Sequence, residues 1–237
     1  TETYMPLRSF CIHAHFYQPP REDPLTGIIP LEAGASPFPN WNERIHAECY
    51  RPNAERGNFA HISFNIGPTL INWMAAHDPK TWSHIVAQDR ANLERYGVGN
   101  AMAQAYNHTI LPLASYQDKV TQVAWGIADF EHRFGRKPQG MWLPETAVDY
   151  DTLSILAARG IEFTILAPWQ AEQEDLDVTQ PYRVPLPDGK SIVVFFYQGD
   201  LSGGISFNPP MTIDADIFAR YDLLSRYPAF PQRDEEP

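Results

Sequence analysis

At 237 residues, 43% of them hydrophobic and 20% charged, the chain can close one large core and does not belong to the disordered class. A formal net charge of −11 argues against a nucleic-acid partner, because phosphate binding needs a basic surface. No apolar run of about 18 residues or more offers a membrane span, Thr1 to Arg8 carry no secretion-signal pattern, and two cysteines without a CxxC make no disulfide framework, so a cytoplasmic protein is expected.

In chain order, residues 9–15 predict a short apolar strand that ends in His13-Ala14-His15. A proline-rich loop follows, and from 19 to 56 no period is evident apart from a short helix over 41–50; a loop of that length is usually functional or locally structured. Residues 61–66 read as a second strand. Gly67-Pro68 breaks it and opens a helix with Leu70, Ile71, Trp73 and Met74 at helical spacing. Asp78-Pro79 caps another helix, with Trp82, Ile85, Val86, Leu93 and Tyr96 on one stripe and Gly97 at its end. A third strand over 100–106 is closed by Asn107-His108. The helix over 115–134 is amphipathic, and Gly135 stops it. A fourth strand over 140–143, a helix over 150–159 and a fifth strand over 163–166 follow, the last closed by Pro168-Trp169. Residues 182–184 and 191–197 flank Pro187-Asp188-Gly189 and predict a hairpin. A glycine-rich loop over 199–204, a helix over 213–226 and a polar tail over 228–237 complete the chain.

Short apolar strands alternating with amphipathic helices imply a parallel sheet, open or closed into a barrel. Polar and aromatic residues collect where the strands end: His13 and His15, Asn65, Asn107 and His108, Glu145, Trp169 and Asp200. In a parallel barrel those ends share one face, where active sites sit.

Within that set, Glu145 stands out because Pro144 fixes its own φ and biases Leu143 toward extended backbone, a rigid delivery of one carboxylate. The competing reading puts Glu145 in the first turn of the next helix, complementing its dipole. His13 and His15 share one side of a strand, suited to hydroxyl binding or to metal. No HxxxH and no Asp-Asp accompany them, so no metal or cofactor is expected. Asn107-His108 reads as a hydrogen-bonding pair or an Asn-capped turn, Trp142 and Trp169 as sugar platforms or core, and Asp200 as a turn aspartate. GxxxxGK[ST] and GxSxG are both absent.

His13-Ala14-His15-Phe16-Tyr17-Gln18-Pro19-Pro20 resembles the first signature region of glycoside hydrolase family 57. Gly140-Met141-Trp142-Leu143-Pro144-Glu145 resembles the region carrying that family's nucleophilic glutamate, and Asn107-His108-Thr109-Ile110-Leu111-Pro112-Leu113 its His-Pro-Ile-Leu-Pro-Leu segment, with Thr109 replacing a proline. The resemblance spans about residues 9 to 205. It implies an α/β fold, an incomplete parallel barrel of seven strands, and retaining hydrolysis or transglycosylation of α-glucans. Glu145 would then be the nucleophile, with His13, His15, Gln18 and His108 on sugar hydroxyls or on the carboxylate itself, Asn107 also binding substrate, and Trp142 and Trp169 as subsite walls. The partner would be an oligosaccharide or polysaccharide; oligomeric state is not legible. The family's acid, an aspartate well downstream, finds no match among Asp149, Asp151, Asp175, Asp177, Asp214, Asp216 and Asp234, which leaves Asp200 as the local substitute. A single domain over 1–237, truncated within the barrel, is the simplest expectation. The alternatives are a non-catalytic oligosaccharide-binding barrel and a metal-dependent carbohydrate deacetylase.

Overall fold

A computed structural model describes residues 9–224. Four strands, β1 (His13–Phe16), β2 (Ser63–Ile66), β3 (Ala101–Gln104) and β4 (Met141–Trp142), pair in that order and all run parallel. β5 (Phe163–Leu166) pairs parallel with β7 (Ser191–Phe196), and β6 (Tyr182–Pro185) lies antiparallel on the far side of β7. A parallel bridge from Gly140 to Phe163, and Thr164 Oγ1 donating to the Met141 carbonyl at 2.8 Å, join the two groups. The result is an open, curled, mainly parallel sheet with its strand ends on one rim, as an incomplete barrel requires.

Helices cover the outer face. The segment 41–55 is helical throughout: α1 (Trp41–Ile45), a wide turn over His46–Tyr50, and α2 (Arg51–Glu55). Asn40 caps it by accepting from the Glu43 N–H at 3.0 Å. The sequence pattern ended this helix at 50. It continues because Pro52, which has no N–H to give, falls just after a turn whose longer bonding pattern absorbs the missing donor.

α3 (Pro68–His77), α4 (Pro79–Tyr96), α5 (Tyr116–Phe134) and α6 (Tyr150–Ala158) match the expected helices. Asp78, Ser115 and Asp149 cap α4, α5 and α6, and Gly97 and Gly135 end α4 and α5 with φ of 76° and 67°.

β3, an inner strand, is buried at every position and alternates Ala101 and Ala103 with Met102 and Gln104, and α5 approaches it closely at a glycine. A Cβ on Gly126 would stand 2.0 Å from the Gln104 carbonyl oxygen. The start of β3 is fixed by charge: Asp89 accepts from the Ala101 N–H at 2.8 Å and from Arg136 Nη2 and Nε at 2.8 and 2.9 Å. Phe59, Phe64, Leu70, Met74, Leu111, Met141, Leu143 and Leu156 fill the core.

One expected element differs. The glycine-rich loop over 199–204 is a helix, α7 (Gly199–Phe207), because Gln198 caps it on the Leu201 N–H at 2.7 Å and Leu201 is buried beneath it. The helix expected over 213–226 runs from Ala215–Ile217 into a wider helical turn over Phe218–Leu223, and its end at 225–226 lies outside the described residues. The tail over 228–237 lies outside the described residues.

Candidate active site

Parallel pairing in register sets His13 beside Ser63 and His15 beside Asn65, and the two-residue period keeps both imidazoles on one side. Asn65 is fully buried, so its polar atoms need partners. Its Nδ2 donates to His15 Nδ1 at 2.9 Å and to Gln104 Oε1 at 2.5 Å, which uses both amide protons. Its Oδ1 can only accept: it takes His13 Nε2 at 3.1 Å and stands 3.3 Å from His15 Nδ1, farther than the Nδ2 that donates there. His13 Nδ1 is therefore the acceptor for the Ser63 hydroxyl at 3.0 Å. His15 carries its proton on Nε2, which faces His108 Nε2 at 3.1 Å. One directed chain runs from Ser63 through His13, Asn65 and His15 to His108.

Burial pushes the His13 imidazole down to about 4, against a smaller opposing effect from Asn65. His15 is also pushed down to about 4, first by burial and then by the neighbouring His108. Burial lowers His108 as well, and the Glu145 carboxylate acts the other way. At neutral pH the row is uncharged, and its last member feels the field of Glu145.

Rings close over this row. Trp142 stacks on His13 and His15 with centroids 5.1 and 5.0 Å apart, and Tyr17 stacks on His108 at 3.8 Å. Trp142 thus spends its face on the histidines.

Glu145 follows β4 in a one-turn segment, Pro144–Thr146, and Asp149 rather than Glu145 caps α6. Its backbone is left-handed, with φ 55° and ψ 19°. Thr146 at φ 54° and His108 at φ 55° share that conformation. A left-handed backbone costs a non-glycine residue about 1–2 kcal/mol, and such residues persist where their surroundings over-determine them. Within the turn, the Thr146 N–H donates to the Leu143 carbonyl at 2.8 Å and the Ala147 N–H to the Pro144 carbonyl at 3.0 Å. Lys119, itself buried, pairs with Asp149 just downstream.

The other predicted residues are placed as follows. Gln18 is buried and engaged on both ends of its amide, donating to the Tyr50 hydroxyl at 3.0 Å and accepting from Arg21 at 2.9 Å. Asn107 is exposed, and its backbone N–H donates to Gln122 Oε1 at 2.7 Å. Trp169 is 72% exposed, edge-on to Tyr197 at 5.7 Å. Asp200 is exposed in the first turn of α7, not in a loop. Among the described residues no group of three or more His, Cys, Asp or Glu is arranged to hold a metal ion, and no helix is long and apolar enough to cross a membrane.

The parts played by Ser63, Asn65, Gln104 and Tyr17 were not legible as site chemistry. Asn65 did fall among the strand-end residues, but its partners depend on the register of three strands.

A model of glycosyl hydrolase family 57 matches residues 18–229. The chain is 39% identical over 56 residues to a 1,4-alpha-glucan branching enzyme of Thermococcus kodakarensis, a match covering 23% of this chain and 8% of that one. Its fold is similar to that of an exo-type maltose-forming amylase from Pyrococcus sp. ST04, with TM-score 0.62 and 19% identity over 90% of this chain and 40% of that one. It is also similar to a 4-alpha-glucanotransferase from Thermococcus litoralis, with TM-score 0.61 and 19% identity over 83% of this chain and 28% of that one. The chain therefore spans no more than 40% of the length of these relatives, and at such identities the two structural likenesses speak for the fold alone. With the match running through most of its length, the chain belongs to glycosyl hydrolase family 57.

Proposed function

We propose that the chain carries the nucleophile side of a retaining α-glucan hydrolase or glucanotransferase, with Glu145 as the nucleophile. The observation that carries this is Glu145 itself: a carboxylate in a left-handed turn at the C-terminal end of β4, beside a neutral imidazole row. A Glu145 oxygen attacks the anomeric carbon while the bond to the leaving oxygen breaks and an acid protonates that oxygen. Water or a sugar hydroxyl then displaces the carboxylate. Hydrolysis and transfer differ only in that second acceptor. His108, oriented by the row behind it, supplies a hydrogen bond to a sugar hydroxyl without adding charge. Trp169, exposed on the same rim after β5, is the ring free to stack on a sugar face.

Retaining chemistry needs a second carboxyl about 5–5.5 Å from the first. Asp200, at the start of α7 beyond β7, is the acid this chain offers. The alternative is an acid from sequence that the longer relatives have in addition. A fluoride leaving group needs no protonation, so a 5-fluoro-α-glucosyl fluoride isolates the first step. Wild-type chain should take one label, found by mass spectrometry on the peptide containing Glu145, and Glu145→Gln should take none. Label that survives Glu145→Gln removes Glu145 from the role.

An oligosaccharide-binding barrel without turnover is the second reading, supported by the exposed, helical setting of Asp200. It predicts calorimetric binding of a maltooligosaccharide with neither cleavage nor transfer of it.

A further inference from the structure

Two consecutive left-handed residues, Glu145 and Thr146, need an external restraint, and the side chain of Gln170 is placed to provide it. Gln170 closes the one-turn segment after β5, Pro168–Gln170. Its Nε2 donates to the Thr146 carbonyl at 2.5 Å, and its Oε1 accepts from the Ala167 N–H at 2.8 Å. Ala167 is fully buried at the end of β5. The amide thus ties the strained turn after β4 to a fixed point on the neighbouring strand. Both halves of the group are needed: a donor toward Thr146 and an acceptor toward Ala167.

We propose that Gln170 is a positioning residue that holds the Glu145–Thr146 turn and so sets where the Glu145 carboxylate points. The part concerning the carboxylate rests on the assignment of Glu145 as nucleophile; the clamp on the turn does not. Gln170 acts through the backbone and touches no reacting atom. A misplacement of about 1 Å at a reacting group can lower a rate by about a hundredfold, so a clamp of this kind should alter the chemical step more than binding.

The test uses Gln170→Glu and Gln170→Ala. The glutamate keeps the length of the side chain and its acceptor for Ala167, but when ionised has no proton for Thr146; it is the variant expected to fold unchanged. Two readouts are taken. Hydrogen exchange of the peptide covering 143–149 reports the Thr146 and Ala147 amides directly, without any activity. Labelling by 5-fluoro-α-glucosyl fluoride separates the maximal inactivation rate from the binding constant of the reagent. In both variants exchange should quicken about tenfold and the inactivation rate should fall about ten- to hundredfold, with reagent binding little changed. In a Thr146→Gly background one of the two left-handed residues no longer needs holding, so Gln170→Glu should cost less there.

Unchanged exchange in both variants would overturn the clamp, whether or not the wild type labels. Faster exchange with an unchanged inactivation rate would overturn the positioning role. Faster exchange in a chain whose wild type takes no label would keep the clamp and discard the nucleophile assignment.

Discussion

His15 and His108 meet nitrogen to nitrogen, Nε2 to Nε2, at 3.1 Å. One of the two must donate, and Asn65 decides which: by donating to His15 Nδ1 it leaves the His15 proton on Nε2. Replacing Asn65 by aspartate removes that donor, because an ionised carboxylate only accepts. His15 Nδ1 must then bind a proton of its own. The expected outcome in Asn65→Asp is an upward shift of His15 titration, read from the ring nitrogens by NMR. A stability loss of about 1–3 kcal/mol in urea melts should accompany it. A His15 spectrum unchanged from wild type would contradict the network.

The same row makes stability depend on pH. His13 and His15 are pushed down to about 4 in the fold, from an ordinary 6.5. Between those values the unfolded chain binds more protons than the folded one, so stability rises with pH across that range. The contribution is fully present above 6.5 and is lost as pH falls toward 4. Melting temperatures recorded at fixed ionic strength from pH 7.5 down to 4.5 should drop through this window. A His13→Gln variant, which keeps an amide able to donate and accept, should give a shallower curve.

The crossing of α5 over β3 sets a steric limit at Gly126. Alanine there would place its Cβ 2.0 Å from the Gln104 carbonyl oxygen, a contact that only a shift of backbone can relieve. Gly126→Ala should destabilise by about 1–3 kcal/mol or more, as overpacking does in well-filled cores. It should also weaken the hydrogen bond that Gln104 Oε1 accepts from Asn65. Denaturant midpoints, together with the NMR signals of the imidazoles, check both effects.

Asp89 and Arg136 form a buried pair, with 2% and 10% of their side chains exposed. Losing one partner strands the other. Asp89→Ala should therefore cost about 3–5 kcal/mol, measured by urea denaturation. The double variant Asp89→Leu with Arg136→Met should lose less than the single one, since no charge is left unpaired.

The order of strands and helices was readable because periodicity, proline and glycine act locally. Ser115 and Gly135 mark α5, and Asp78 and Gly97 mark α4, by chemistry that needs no knowledge of the rest of the fold. The rim residues were readable for a similar reason: a polar side chain closing an apolar strand is visible in the sequence. What stayed hidden depends on neighbours far along the chain. Asn65 meets Gln104 and the two histidines only through strand register, 39 and 50 or more residues away. Trp142 read equally as platform or core because nothing in its own segment says that His13 and His15 stack against it. The glycine-rich run over 199–204 looked like a loop because glycine disfavours helix, while the cap from Gln198 and the burial of Leu201 act in the opposite direction and prevail.

The left-handed backbone at His108, Glu145 and Thr146 has a consequence for selection. Glycine or asparagine at these positions would relieve about 1 kcal/mol or more each. A library of variants sorted only for survival at high temperature would therefore drift toward glycine and asparagine at 108, 145 and 146. The sturdiest descendants of this chain would be those that had erased its candidate site, and only a sort that also demands chemistry would keep a glutamate in so uncomfortable a place.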